Sequence, residues 1–96
     1  MASVYILHSK SLDRFYTGSC VDLLDRLEQH KNKVFEKSYT AKADDWELFF
    51  SIDNLEYKQA RAIEAHIKKM KNNIYIQNLK KYPEMVEKLK QRFISV

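Results

Sequence analysis

Two short runs near the start of the chain, Ser3-Val4-Tyr5-Ile6-Leu7 and Phe15-Tyr16-Thr17-Gly18-Ser19, decide how the rest is read. Both are rich in apolar, β-branched and aromatic residues, the composition of a strand, and the first reads as a strand buried on both faces. The polar segment between them, residues 8–14, is short enough for an antiparallel hairpin. Tyr5 and Tyr16 then sit on paired strands and can face one another. Gly18 follows Tyr16 by two residues and shares its face. A glycine inside a strand weakens it, and marks a bulge or the close approach of another backbone or a ligand. This is the first hint of a site.

Working outward, the apolar period lengthens. Asp22 reads as an N-cap, with Asp25 three residues on, for a helix that runs to about His30. Residues 31–45 are polar and irregular and read as a loop. Trp46-Glu47-Leu48-Phe49-Phe50-Ser51-Ile52 reads as a third strand. A longer helix covers about residues 56–70, with Ala60, Ile63, Ile67 and Met70 as its apolar stripe. Asn72-Asn73 interrupts it. A second helical stretch carries Ile74, Ile76, Leu79 and Tyr82, and Pro83 stands where a first helical position falls. Met85, Val86, Leu89 and Phe93 mark a last helix. The order β-β-α-β-α-α-α predicts a small α+β domain, a three-stranded, mostly antiparallel sheet flanked by helices, made by the whole chain as one unit.

The composition excludes several alternatives. The chain has 96 residues, 45% hydrophobic and 31% charged, which suits one globular domain rather than a disordered segment. It contains one glycine and one proline, where average usage gives roughly seven and five. That argues against a turn-rich β-sandwich or barrel and against a Gly-rich phosphate loop. Apolar runs such as residues 4–7 and 48–50 are far too short to span a bilayer, and no signal segment opens the chain. The single cysteine, Cys20, has no partner for a disulfide or a zinc knuckle. A cytoplasmic, reduced protein with no membrane partner is the expectation.

The net charge of +4 is unevenly placed. Residues 1–50 carry 7 Lys/Arg and 8 Asp/Glu, whereas residues 51–96 carry 10 and 5. Within 66–82 stand Lys68, Lys69, Lys71, Lys80 and Lys81 with no acid at all. Such a stretch is either a solvated helix face or the footprint of a polyanion, since each neutralised phosphate releases counterions.

Several polar residues lie where a plain core would be apolar. Leu23, Arg26, Leu27 and His30 follow the i, i+3, i+4, i+7 rule and share one face of the first helix. The leucines turn that face inward. Arg26 then either snorkels to water or lines a cleft, where its planar fork suits phosphate. His30 suits the negative end of the helix dipole equally well. Glu64 lies in the stripe of the long helix, between Ile63 and Ile67, and shares a face with Lys68 and Lys71. It makes either an ordinary Glu–Lys helix pair or a lone carboxylate for a hard divalent cation. Asn78 sits in mid-helix, where asparagine is a poor choice. Cys20 reads as a small buried thiol and His66 as an exposed helix residue.

Taken in order, these residues resemble the GIY-YIG nuclease superfamily, in particular small single-domain members akin to the catalytic module of the incision component of the excision-repair excinuclease. Val4-Tyr5-Ile6 and Tyr16-Thr17-Gly18 resemble the signature pair of triplets, with Val4 in place of the first glycine and Thr17 in place of an isoleucine. The helix from Asp22 through Arg26 to His30 is similar to the family's arginine helix, and Thr40 with Trp46-Glu47-Leu48 resembles its third-strand segment. Ala62-Ile63-Glu64 through Ile67-Lys68 resembles the metal-carboxylate helix, and Asn78 falls at a matching distance beyond it. Ser19 stands where many repair-type members carry a lysine. The resemblance covers about residues 3–82, leaving 83–96 as a C-terminal helix.

The resemblance implies a divalent-metal-dependent endonuclease that hydrolyses DNA phosphodiester bonds by a single-metal mechanism, with a role in DNA repair or processing. By position, Tyr16 orients or activates the attacking water and Tyr5 holds water or phosphate beside it. Arg26 stabilises charge on the scissile phosphate, His30 assists proton transfer, Glu64 binds one Mg²⁺ or Mn²⁺, and Asn78 steadies the metal site or backbone. The lysines of 66–82 would grip branched, damaged or single-stranded DNA. With 96 residues and no recognition domain evident among them, sequence-specific targeting is expected to be weak or to come from a homodimer or a recruiting protein. The alternative is a non-catalytic nucleic-acid-binding module that retains the fold.

Overall fold

The first run forms the core of β1 (Ala2–Ser9) and the second that of β2 (Arg14–Cys20), paired antiparallel as the hairpin reading predicts. The structure is a computed structural model that describes residues 1–31 and 43–94, the side chains of His30 and Lys31 excepted. β3 (Trp46–Leu55) pairs antiparallel with the other side of β1, giving the order β2-β1-β3. β1 is therefore central. Its residues are apolar without alternation because both of its faces are covered: Val4, Tyr5, Ile6 and Leu7 are all buried.

The pleat then divides β1 between two cores. Ala2, Val4 and Ile6 enter the larger one, with Ile63 and Ile67 of α2 (Tyr57–Met70), Ile76 and Leu79 of α3 (Asn73–Lys81) and Leu89 of α4 (Pro83–Arg92). Tyr5 and Leu7 enter a smaller core with Cys20, on which Leu23 and Leu27 of α1 (Leu23–Lys31) pack. The result is a three-layer α+β domain in the predicted order, with α1 on one face of the sheet and α2–α4 on the other. Full burial of side chains such as Ile63, Ile67 and Leu79 contributes about 2 kcal/mol each.

The helix ends follow local chemistry. Asp22 Oδ1 accepts from the Asp25 amide at 3.0 Å, so Asp22 is the N-cap of α1. α2 stops because Lys71 turns left-handed, at φ 47°. The next residue restarts the chain as a helix: Asn72 Oδ1 accepts from the amides of Ile74 at 2.9 Å and Tyr75 at 3.2 Å. Pro83 opens α4 in the first turn, where its missing N–H costs nothing.

Two sequence expectations change. β3 continues to Leu55, beyond Ile52, because Ala2 pairs with Leu55 and Ser3 Oγ donates to Asp53 Oδ1 at 2.9 Å. His66 is half-buried rather than exposed, its ring 6.0 Å from that of Tyr75 and 5.5 Å from that of Phe93. Burial first, then Arg92 and Lys69, push its pKa down. Most of the expected loop, Thr40 with it, lies outside the described residues. Its end carries an unforeseen clamp. Asp45 accepts from Ser9 Oγ at 2.6 Å, from the Ser11 amide at 2.8 Å and from Ser11 Oγ at 3.0 Å, pinning the β1–β2 turn to the start of β3. Among the described residues no helix is long and apolar enough to cross a membrane.

Candidate active site

β2 is an edge strand, and both helical layers meet around it. Tyr16 and Gly18 stand opposite Leu7 and Tyr5, on the α1 side, whereas Ser19 stands opposite Val4, on the α2 side. A cleft of about 420 Å³ follows that edge, lined by Tyr5, Tyr16 and Gly18, by Arg26 from α1, and by Ser19 and Glu64 from β2 and α2. Residues far apart in the chain thus converge on one concavity: Tyr16 and Glu64 have no local reason to meet.

The register corrects the expectation that the tyrosines face one another. Tyr5 pairs with Gly18, and Tyr16 pairs with Leu7, so the phenols lie diagonally on one face with ring centroids 6.4 Å apart. This explains Gly18. Its φ is not positive, so the residue is not required by backbone conformation. Space requires it, because a Cβ there would come within 2.5 Å of Tyr5 Cζ and 2.9 Å of Cε1. The close approach is made by a phenol, not by a backbone or ligand. Burial, then Tyr16, holds the Tyr5 pKa far above the ordinary phenol range, against the pull of Arg26. Tyr5 is therefore a hydrogen-bond donor at neutral pH and not a base.

Glu64 is half-buried and engaged at both oxygens. Ser19 Oγ donates to Oε1, and Lys68 Nζ donates to Oε2 at 2.7 Å. Burial alone raises a carboxyl pKa, but here the bonds from Lys68 and Ser19 outweigh it and the net shift is downward. The carboxylate is ionised and oriented. Lys68 Nζ also lies 5.7 Å from the Tyr16 ring centroid, tying α2 to the edge strand. Lys71, read as sharing this face, leaves it because its left-handed conformation ends the helix.

Arg26 resolves between its open readings: Leu23 and Leu27 beside it pack inward, and the guanidinium, half-buried, lines the cleft. It lowers the pKa of Tyr5 and of the buried Cys20 thiol, although burial dominates both and raises them. His30 lies on α1, but its side chain is outside the described residues. Asn78 is not brought to the cleft. It sits half-buried on α3, where its carbonyl accepts from the Tyr82 amide at 2.8 Å. Lys69, Lys80 and Lys81 lie outside the cleft lining as well.

Sequence reasoning missed several lining residues, among them Asp25 and Gln29 of α1 and Tyr57 and Arg61 of α2. For the α2 pair the signal was present: Tyr57, Arg61, Glu64 and Lys68 are spaced i, i+4, i+7, i+11, one stripe of α2. Ser19 was read only as a departure, and its role depends on reaching Glu64 across 45 residues.

Among the described residues no group of three or more His, Cys, Asp or Glu side chains converges to hold a metal. Asp22 and Asp25 also line the cleft, but Asp22 caps α1 and Asp25 accepts from Gln29. The ionised Glu64 carboxylate fits a hard cation such as Mg²⁺, which keeps water and substrate phosphate as its other ligands. Neither the comparison with curated proteins nor that with solved structures gives a match. The profile of the GIY-YIG catalytic domain matches residues 1–82, a span that contains both strands of the hairpin, α1 with Arg26 and α2 with Glu64. The chain belongs to the GIY-YIG catalytic domain family, a family of nucleases.

Proposed function

We propose that the chain is a divalent-metal-dependent endonuclease that hydrolyses DNA phosphodiester bonds at the edge of its sheet. The observation that carries this reading is the convergence of Arg26 from α1 and Glu64 from α2 on one cleft, with Tyr5 and Tyr16 between them. A cation and a fixed guanidinium are the charges that phosphodiester hydrolysis demands, because negative charge grows on the phosphate oxygens. Glu64 would hold the cation, its carboxylate aimed by Ser19 and Lys68. A bound Mg²⁺ or Mn²⁺ supplies Lewis-acid polarisation of the phosphate and a lowered pKa for its water. Arg26 neutralises the scissile phosphate with its planar fork of donors. Tyr5, kept protonated by burial, donates a hydrogen bond to phosphate or water. Tyr16, only half-buried, orients the attacking water, and His30 assists proton transfer. A role in DNA repair or processing, kinship with the incision component of the excision-repair excinuclease, a cytoplasmic location, and targeting by a homodimer or recruiting protein belong to the same proposal.

The test is nicking of branched, damaged and single-stranded DNA with Mg²⁺ or Mn²⁺. Wild type should cleave, chelation should abolish cleavage, and Arg26→Ala or Glu64→Gln should each lower the rate by roughly 10²–10³-fold. Equal cleavage by all three proteins would sink the site assignment. A second reading has its own support. Both Glu64 oxygens are satisfied by protein donors, which is also how a carboxylate without a metal is stabilised. A non-catalytic module would bind DNA without metal, lose affinity steeply with salt, and be indifferent to Glu64→Gln.

A further inference from the structure

We propose a second nucleic-acid site, a pocket for an unpaired base of a single strand, between the tip of the β1–β2 hairpin and α3. The proposal rests on the nucleic-acid reading above and adds a specificity to it. A pocket of about 540 Å³ opens here, within the roughly 300–1,000 Å³ range of ligand sites. Its aromatic wall is made of His8, Phe15 and Phe49. The His8 and Phe15 centroids are 4.7 Å apart, those of Phe15 and Phe49 5.1 Å in an edge-to-face arrangement, and those of His8 and Phe49 6.5 Å. All three rings are half-buried, so the cluster keeps apolar surface towards the pocket instead of being sealed in the core.

The opposite wall is one face of α3. Asn73, Gln77 and Lys81 follow at i, i+4 and i+8, while Ile76 and Leu79 hold the other face in the core. Asn and Gln amides offer paired donors and acceptors that match base edges, and lysine supplies a cation for the adjoining phosphate. Lys80 Nζ lies 4.6 Å from the Phe49 ring centroid, a second cation beside the rings. The acid at the rim, Asp13, is turned to His8 at 3.4 Å. Aromatic rings interleaved with lysines are how single strands are held, since every base has a face to stack. Within a duplex each internal base already has both faces stacked, and only the two end pairs expose one. Phe15 and Ser19 share one face of β2, four residues or about 13 Å apart, so a strand with its phosphate near Glu64 can extend a base to these rings.

The test is titration of the full chain, in chelator, with a short single strand carrying 2-aminopurine and with the same sequence as a blunt duplex. Wild type should prefer the single strand and quench the 2-aminopurine emission. Phe49→Ala should weaken single-strand binding about tenfold and reduce the quench, with a smaller loss on the duplex. Phe49 also touches the core, so Gln77→Ala with Lys81→Ala, two exposed positions, gives an independent variant with the same expected direction. Wild-type affinity and quench in both variants, or equal losses on single strand and duplex, would overturn the pocket and leave the nuclease reading standing. Failure of the wild type to bind either DNA in chelator would likewise overturn the pocket, while the nuclease reading stands or falls on cleavage with Mg²⁺ or Mn²⁺.

Discussion

Gly18→Ala tests the central claim about the cleft, that a side chain and not the backbone demands glycine. The added Cβ would lie 2.5 Å from Tyr5 Cζ and 2.9 Å from Cε1, whereas carbon atoms rest at about 3.5–4.0 Å, so something must move by about 1 Å. Tyr5 cannot swing to solvent, being 1% exposed on the central strand. Overpacking of this kind costs about 1–3 kcal/mol. Exchange of a strand glycine for alanine returns about 0.5–1 kcal/mol, because no left-handed φ stands in its way. The net loss is up to about 2.5 kcal/mol, centred on about 1 kcal/mol, or a fall in Tm of about 4–8 °C at the centre of that range for a domain of this size. Urea unfolding of wild type, Gly18→Ala, Tyr5→Leu and the double variant measures the coupling directly. With the ring removed, Gly18→Ala should be neutral or mildly stabilising. The same cost in both backgrounds would refute the steric account. Cleavage should fall further than stability in Gly18→Ala, because the displaced phenol lines the cleft.

Arg61→Ala should leave stability within about 0.5 kcal/mol, as an exposed residue, while lowering kcat/KM on DNA about tenfold by removing a cation one helical turn before Glu64; steady-state kinetics decides. Asp45 has a pKa lowered to about 2, by the bond from Ser9 first and the Ser11 amide next. Its contribution to the hairpin is thus present above the unfolded carboxyl pKa of about 3.9 and is lost as pH falls towards about 2. The stability gap between wild type and Asp45→Asn should accordingly close between about pH 4 and pH 2. A gap constant with pH would contradict the clamp. Asn72→Ala removes the acceptor for two α3 amides and should cost about 1 kcal/mol by denaturant unfolding. No loss would mean that packing alone sets the start of α3.

Much of the fold is legible in local pattern. Residues 4–7 are apolar without alternation, and only a central strand covered on both sides needs that. Asp22, Asn72 and Pro83 mark helix starts because capping is chemistry between near neighbours in the chain. The stripe of Ala60, Ile63 and Ile67 orients α2 before any partner is known. By themselves these patterns predict the β-β-α-β-α-α-α order, and the ordered resemblance to the GIY-YIG family nominates Tyr5, Tyr16, Arg26 and Glu64.

Contacts between distant segments are a different matter, since no periodicity encodes them. Only the register of β1 on β2 decided that Tyr5 meets Gly18 and not Tyr16. Only the packing of α2 against the edge strand joined Ser19 to Glu64 and put Arg61 and Tyr57 in the cleft while leaving Asn78 out. Sequence determined which residues are out of place in a plain core. The tertiary structure decided which of them share a cleft, because a side chain's function depends on neighbours that folding, not chain order, supplies.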